Sequence, residues 1–195
     1  MRKEIRIAGF GGQGVALTGR ILGKALAIYD GLETVMTQAY GPEARGGASS
    51  VNLVVSDREI AYPFVQQPDI LATLSQEAYT KFRPTVKPST IIIIEQDLVT
   101  PASDDECFAI PATRIAEELG RRIVTNIVML GFFTALTELT TRHSIEKAIK
   151  TTVKEKTIPL NLQAFAAGYE YALSNFQPHL LGIREDTGAA AAGQV

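Results

Sequence analysis

The sequence predicts an α/β fold: a mainly parallel sheet flanked by helices, with a Rossmann-like start, an antiparallel hairpin addition and a helical C-terminal part. Three observations support this prediction. The apolar segment "IRIAGF" leads into a glycine-rich turn and then a helical pattern. Residues 69–75 and 89–97 are apolar on both faces, as expected for parallel strands covered by helices on both sides. Helical spacing then dominates the last half of the chain.

The first half of the chain predicts the amino-terminal strands. The first strand and its glycine turn precede a helix whose apolar face includes Val15, Leu22, Leu26 and Tyr29. Extended segments follow at residues 33–40, 49–57 and 58–63, the last a short edge strand ended by Pro63. We expect residues 40–64 to pair as the antiparallel addition.

The second half alternates strands with helices and then becomes helical. Residues 76–86 form the crossover between the two apolar strands, and "CFAIPAT" predicts one more strand. Gly120 suits the end of the helix that follows. The remaining helices are predicted at residues 126–139, capped by Asn126, at 144–155, capped by Ser144, and at 162–175. For Asn126 the alternative is that its side chain faces the ligand cleft.

Length and composition favour one domain and exclude several functions. The 195 residues predict a single α/β domain over residues 1–176 and a tail over 177–195 that is mobile or ordered by a partner. With 19 Lys and Arg against 21 Asp and Glu, no basic footprint for nucleic acid or an anionic membrane is visible. No signal peptide or membrane-spanning run is apparent, so a cytoplasmic location is predicted. The single Cys107 cannot supply the thiolates of an iron–sulfur cluster or a structural zinc site.

The glycine turn is the first candidate binding site. Gly9, Gly11 and Gly14 satisfy the G-x-G-x-x-G pattern between a strand and a helix, and Gly12 and Gln13 lie within it. Residues without a Cβ allow a tight turn and a close approach of the backbone to a phosphate, which the free N–H groups of the helix start would bind. Glycines that only pack the helix on the sheet are the alternative, and the Gln13 amide binds either a ligand or the neighbouring loop.

A nicotinamide cofactor requires an acidic residue at the end of the second strand. Asp30 and Glu33 lie before that strand, and its end carries Thr37, Gln38 and Ala39. A self-sufficient Rossmann-type nucleotide-binding oxidoreductase therefore stays only as an alternative.

The loop "AYGPEARGG" is the second candidate binding site. Its predicted ligand-binding residues are Tyr40, Gly41, Arg45, Gly46 and Gly47. Arg45 between glycines can grip a phosphate or a carboxylate with two hydrogen bonds, and a solvated arginine paired with Glu43 is the alternative. If the first two strands are neighbours, this loop meets the glycine turn at the carboxyl edge of the sheet, where α/β proteins bind ligands.

These two motifs resemble those of a known family. The stretch "GFGGQGV", the loop "AYGPEARGG", the set Ser56, Ile60, Tyr62 and Pro63, and "PDILATLS" are similar to the gamma subunit of the 2-oxoacid:ferredoxin oxidoreductases. The similarity covers roughly residues 4–175.

The resemblance implies one subunit of an enzyme that oxidatively decarboxylates a 2-oxoacid to its acyl-CoA and passes electrons to ferredoxin. Pyruvate, 2-oxoglutarate, branched-chain oxoacids and arylpyruvates are all used within the family, and overall similarity slightly favours 2-oxoglutarate. The glycine loops are expected to contact coenzyme A or to complete the active site at an interface. The resemblance places thiamine diphosphate and iron–sulfur clusters on the partner subunits, which are of alpha, beta and delta type. Ferredoxin is therefore an indirect partner of this chain. A homodimer of the isolated chain and a non-catalytic scaffold whose loops carry only protein contacts are left open.

Overall fold

The computed structural model describes residues 1–39 and 48–177, which form a six-stranded sheet with helices on both faces. The strands are β1 Arg2–Phe10, β2 Glu33–Ala39, β3 Ala48–Ser56, β4 Ile70–Thr73, β5 Ile91–Glu95 and β6 Cys107–Ile110. The helices are α1 Val15–Lys24, α2 Gln76–Phe82, α3 Ala112–Glu118, α4 Thr125–Thr137, α5 Arg142–Lys150 and α6 Ile158–Asn175. The tail beyond residue 177 lies outside the described residues.

The sheet has the order β2-β3-β1-β4-β5-β6. Strands β1, β4, β5 and β6 are parallel, whereas β3 runs antiparallel to both β1 and β2. The predicted α/β class with an antiparallel addition is therefore confirmed. The condition that the first two strands are neighbours is wrong, because β3 lies between them.

The predicted edge strand at residues 58–63 is also wrong, because these residues form a loop. Both neighbouring positions of β3 are already taken by β1 and β2, so the chain after β3 has no partner there. The loop instead lies against the sheet, where the buried guanidinium of Arg6 donates a hydrogen bond to the Val65 carbonyl at 2.8 Å. The same guanidinium donates to Asn52 Oδ1 and Thr85 Oγ1, which ties the loop to β3 and to the turn after α2.

The main core lies between the sheet and the helices α1, α4 and α6. Ile5 and Ile7 of β1 pack in one cluster with residues of these helices, whereas Ala8 faces the opposite side and packs near Ala78 of α2. All 13 residues of α4 are buried, so the helix predicted at residues 126–139 forms part of the core. No helix within the described ranges is long and apolar enough to span a membrane.

The helices α4 and α6 approach each other at two glycines. A Cβ at Gly131 would lie 2.0 Å from the Phe165 carbonyl oxygen, and one at Gly168 would lie 1.9 Å from the Val128 carbonyl oxygen. The two backbones are thus in direct contact, which no larger residue allows at either position.

The helix predicted at residues 144–155 begins earlier and ends sooner than expected. Thr141, not Ser144, is its N-cap, and the Thr141 hydroxyl accepts a hydrogen bond from the Ser144 N–H. The Ser144 hydroxyl instead donates to Asp30, at the end of a π-helical turn, Ala25–Tyr29, that follows α1. The Ser144 side chain, which the sequence predicted as the helix cap, therefore forms a tertiary hydrogen bond to Asp30 instead.

Candidate functional site

The glycine turn lies at the carboxyl edge of the sheet, between β1 and α1. Gly12 and Gly14 have φ values of 98° and 75°, which favour glycine, and Gly14 is the N-cap residue of α1. A Cβ at Gly9 would lie 2.7 Å from Gln13 Oε1, so the side chain of Gln13 needs this glycine. The surroundings of Gly11 are open, since a Cβ added there would meet nothing within 4 Å. The predicted residues of this turn are continuous in the chain: Gly9 is buried in β1, Gly11 and Gly12 are exposed, and Gln13 and Gly14 are half-buried.

The Gln13 side chain closes the turn. Its Oε1 accepts a hydrogen bond from the Phe10 N–H at 2.6 Å, and its Nε2 donates to the Leu74 carbonyl at 2.9 Å. Both ends of the amide are thus bonded to the backbone of the turn and of the residue after β4. Of the two roles predicted for Gln13, the structure supports the bond to neighbouring backbone.

Asn126 connects the glycine turn to α4. Its Nδ2 donates to the Gly14 carbonyl at 3.1 Å and to Thr18 Oγ1 at 3.2 Å. The prediction that Asn126 caps its helix is wrong, because α4 begins at Thr125 and the amide reaches a residue far away in the sequence. A Cβ at Gly14 would lie 2.6 Å from this Nδ2, so the amide and the glycine fit each other closely.

We expect Gly14→Ala to destabilise the fold by about 2 kcal/mol, because a left-handed conformation is costly for alanine and the new methyl meets the Asn126 amide. Urea unfolding of Gly14→Ala, Asn126→Ala and the double variant measures the effect. The double variant should lose less free energy of unfolding than the two single losses combined, because the clash is removed. Strict additivity would contradict this account of the contact.

The second predicted loop lies outside the described residues, and with it Tyr40, Gly41, Arg45, Gly46 and Gly47. Its two flanks are described. Phe10 at the end of β1 pairs with Ala48, and Ser50 pairs with Ala39. Because β2 runs in the same direction as β1, the chain leaves and re-enters the sheet at the edge that carries the glycine turn.

A cavity of about 320 Å³ lies beside the glycine turn. It is lined by residues from four parts of the chain: Gly12, Gln13, Leu98, Thr113, Arg122, Ile123 and Thr125. The Arg122 side chain is 67% exposed, and within residues 1–39 and 48–177 its ion-pair partner is Glu117, at 3.8 Å. Its cation is therefore weakly engaged and free to bind an anion in the cavity.

Arg122 is not among the site residues predicted from the sequence. The only signal was the pair Arg121-Arg122 just before the long apolar helix. That pair gave no indication of which arginine faces the glycine turn.

Glu95 forms hydrogen bonds to the backbone of two residues that line this cavity, Leu98 and Thr113. It ends β5, is fully buried, and accepts hydrogen bonds from the backbone N–H groups of Asp97, Leu98 and Thr113 at 2.7 to 3.0 Å. Leu98 and Thr113 both line the cavity, so one carboxylate holds them in place. The sequence signal was a lone glutamate after four isoleucines, which predicts only a strand.

The described site is suited to binding and has no evident acid–base or nucleophilic pair. Burial, together with the charge of Asp105, raises the pKa of the Cys107 thiol to about 11, so this thiol is protonated at neutral pH. Within residues 1–39 and 48–177, no group of three or more His, Cys, Asp or Glu side chains is placed to hold a metal ion.

Comparison with known proteins identifies the family. The family model described as pyruvate ferredoxin/flavodoxin oxidoreductase matches residues 4–171. The chain belongs to this oxidoreductase family. The membership predicted from the two glycine loops is thereby confirmed, together with the enzyme class.

Relatives within the pyruvate ferredoxin/flavodoxin oxidoreductase family match nearly the whole chain. The 2-oxoglutarate synthase subunit KorC of Methanocaldococcus jannaschii is 51% identical over 177 residues, which cover 88% of this chain and 95% of that protein. The structure of the keto/oxoacid ferredoxin oxidoreductase gamma subunit from Geobacter sulfurreducens PCA superposes with a TM-score of 0.78 at 39% identity, covering 88% of this chain and 99% of that one.

The same fold also occurs inside a longer chain. The 2-oxoglutarate:ferredoxin oxidoreductase of Magnetococcus marinus, solved with 2-oxoglutarate, coenzyme A and succinyl-CoA, has a TM-score of 0.76 at 24% identity. The match covers 91% of this chain and 33% of that chain. In that enzyme the fold is one part of a larger polypeptide.

Proposed function

We propose that this chain is the gamma subunit of a multi-subunit 2-oxoglutarate:ferredoxin oxidoreductase, which converts the 2-oxoacid to its acyl-CoA and reduces ferredoxin. The observation that carries the proposal is the 51% identity to a 2-oxoglutarate synthase subunit over nearly the full length of both chains. The similarity to a solved gamma subunit, at 39% identity, supports the same role. Thiamine diphosphate and the iron–sulfur clusters are held by alpha-, beta- and delta-type partner subunits.

The chain's own contribution is to hold the phosphate end of coenzyme A at the carboxyl edge of its sheet. The glycine turn exposes backbone there, the cavity beside it has two threonines in its walls, and Arg122 supplies a cation. These groups suit phosphate oxygens, and the cavity has the size of a phosphate group with its neighbours rather than of the whole molecule. Arg45 and the glycines of the second loop, which lie outside the described residues, are included in the proposal because the flanks of that loop, Ala39 and Ala48, lie at the same edge of the sheet.

In the reaction, coenzyme A supplies the thiol that accepts the acyl group. The residues of this chain bind and orient the carrier rather than move protons, because the described walls of the cavity contain no titrating acid–base pair. Gln13, Asn126 and Glu95 keep the walls fixed through their bonds to the backbone. A site organised in this way lowers the entropy lost when the carrier binds.

The alternative of a self-sufficient nicotinamide enzyme has less support. Strand β4 lies beside β1 and ends at Thr73, and β2 ends at Ala39, so neither strand ends in the carboxylate that a ribose requires. The insertion of an antiparallel strand beside β1 also departs from the parallel βαβ unit of nicotinamide-binding domains.

We expect Arg122→Ala to raise the KM for coenzyme A about tenfold, because an exposed charge-assisted hydrogen bond to a phosphate contributes about 1.4 kcal/mol. The assay is steady-state turnover of the complex reassembled from a gamma-depleted enzyme and the purified variant. The kcat and the KM for 2-oxoglutarate should stay unchanged, because Arg122 acts on the carrier alone.

Arg121→Ala is the matched control, because Arg121 has the same charge and is also exposed but does not line the cavity. Equal KM values for coenzyme A in the two variants would contradict the assignment of Arg122. Arg45→Ala tests the second loop in the same assay, and unchanged coenzyme A affinity and turnover would remove that loop from the site. Failure of the unaltered chain to restore turnover to the depleted enzyme would contradict the subunit role itself.

A further inference from the structure

Four lysines form a basic patch on the side of the molecule where α1 meets α5. The patch consists of Lys24, Lys147, Lys150 and Lys154. Lys24 Nζ donates to the Thr151 carbonyl at 3.1 Å, which joins the end of α1 to the end of α5. The Lys147 ammonium lies 5.7 Å from the ring centre of Tyr29. Lys150 and Lys154 lie on either side of Thr151 in the chain, and both are exposed.

The charges of the basic patch are not balanced within the chain. Residues 147–157 include Lys147, Lys150 and Lys154 of the patch together with Lys156, and contain one glutamate, so their net charge is +3. The whole chain has a net charge of −2, so the rest of the chain carries −5. None of the four lysines forms an ion pair with a carboxylate of the described ranges. Two nearby carboxylates are already engaged, since Asp30 accepts from Thr140 and Ser144, and Glu146 pairs with Arg142.

An apolar side chain accompanies the basic patch. The π-helical turn after α1 is closed by a hydrogen bond from the Asp30 N–H to the Ala25 carbonyl. Ile28 in this turn is 68% exposed, next to Tyr29, whose hydroxyl contacts Thr151 Oγ1 at 3.2 Å. A large exposed aliphatic residue in the turn that also carries Tyr29, over whose ring Lys147 lies, is suited to contact with another protein.

The basic patch is separate from the proposed coenzyme A site. The glycine turn precedes α1, whereas Lys24 ends it, and a helix of 10 residues is about 15 Å long. The π-helical turn leads into β2, whose first residue pairs with the last residue of β3, so the patch lies toward the amino edge of β1. Ligand binding at the carboxyl edge therefore leaves these lysines without a counter-charge.

We propose that the basic patch is a docking surface for an acidic face of another subunit of the oxidoreductase. The proposal rests on the subunit role given above. Opposite charges would steer the two subunits together and fix their orientation, and Ile28 would supply the apolar centre of the contact. The chain has a net negative charge and the patch contains only four lysines, so the chain is poorly suited to bind a long polyanion or a membrane. A protein surface of limited area is therefore the favoured partner.

The test is the affinity of the purified chain for the gamma-depleted enzyme, measured by surface plasmon resonance at 50 and 300 mM NaCl. The variant Lys147→Glu/Lys150→Glu should bind at least tenfold more weakly at 50 mM NaCl. The unaltered chain should lose affinity as salt rises, because the interaction is screened. The variant Arg58→Glu/Lys81→Glu is the control, since it makes the same change in net charge at exposed residues elsewhere.

The outcomes separate this proposal from the subunit role. If the unaltered chain restores turnover and both double variants bind equally well, the docking surface is wrong and the subunit role stands. If the unaltered chain fails to restore turnover, both fall together. Binding to phosphatidylserine vesicles that is lost only in Lys147→Glu/Lys150→Glu, with subunit affinity unchanged, would assign the lysines to a membrane and overturn the proposal. Thermal unfolding should show at most a small loss of stability in each double variant, because the altered side chains are exposed and glutamate in the last turn of a helix costs about 1 kcal/mol or less.

Discussion

Gly131→Ala and Gly168→Ala are each expected to destabilise the chain by about 3 kcal/mol or to prevent folding. A Cβ at either position would lie at or below 2.0 Å from a carbonyl oxygen of the facing helix. Overpacking in a core usually costs about 1 to 3 kcal/mol, and here the obstacle is backbone, which no rotamer change can relieve. The two helices must separate, and the buried side chains of α4 around this crossing must then repack.

Urea unfolding followed by circular dichroism measures the effect, and the yield of soluble protein reports a failure to fold. Gly11→Ala is the matched control, because a Cβ there meets nothing within 4 Å and its φ is not positive. That variant should be as stable as the unaltered chain or gain up to about 1 kcal/mol from a less flexible unfolded state. Similar stability in all three variants would show that α4 and α6 are not in backbone contact.

Glu95→Ala is expected to cost about 3 kcal/mol of unfolding free energy and to weaken coenzyme A binding in the assembled enzyme. The carboxylate accepts three backbone hydrogen bonds, and the Thr113 N–H among them is buried. A buried donor left without an acceptor costs about 1 to 3 kcal/mol, and the two part-buried donors add smaller amounts because water can reach them. The walls at Leu98 and Thr113 would lose their shared support.

Glu95→Gln keeps one acceptor oxygen, so it should be less destabilising than alanine and keeps the test open if alanine does not fold. Chemical unfolding gives the stability, and the KM for coenzyme A in the reassembled enzyme gives the effect on the site. Asp97→Ala is the control, because Asp97 forms an exposed ion pair with Arg114 that contributes about 1 kcal/mol at most. A Glu95→Ala protein as stable as Asp97→Ala would contradict the role of the buried carboxylate.

Local sequence signals predicted the features that depend on neighbouring residues. The tight turn between the first strand and the first helix was predicted from its glycines, and two of them, Gly12 and Gly14, have positive φ values. This feature involves residues only a few positions apart. Strands β4 and β5 could also be predicted from the sequence. Helices cover both faces of these strands, so each strand is an uninterrupted run of apolar residues.

Two helix caps were predicted wrongly because the side chains concerned form hydrogen bonds to residues far away in the sequence. Asn126 and Ser144 have the chemistry of helix caps, yet they bond to Gly14 and Asp30, more than 100 residues away. The expected strand at residues 58–63 did not form beside β3, the strand that precedes it, because β1 and β2 pair with β3 on its two sides. A single sequence contains no signal that shows when a distant hydrogen-bond partner or the order of the strands will override a local preference.

The α/β class, the glycine turn and the family could all be predicted from the amino-acid sequence, because each depends on short segments whose side chains and backbone act locally. The groups that meet at the carboxyl edge became known only from the folded chain: Arg122 beside Gly12, and Glu95 beneath Leu98 and Thr113. The same holds for the contact of α4 with α6 at two glycines. Such contacts are set by how separate elements pack against one another, and this packing depends on the order of the strands and the shape of the whole core.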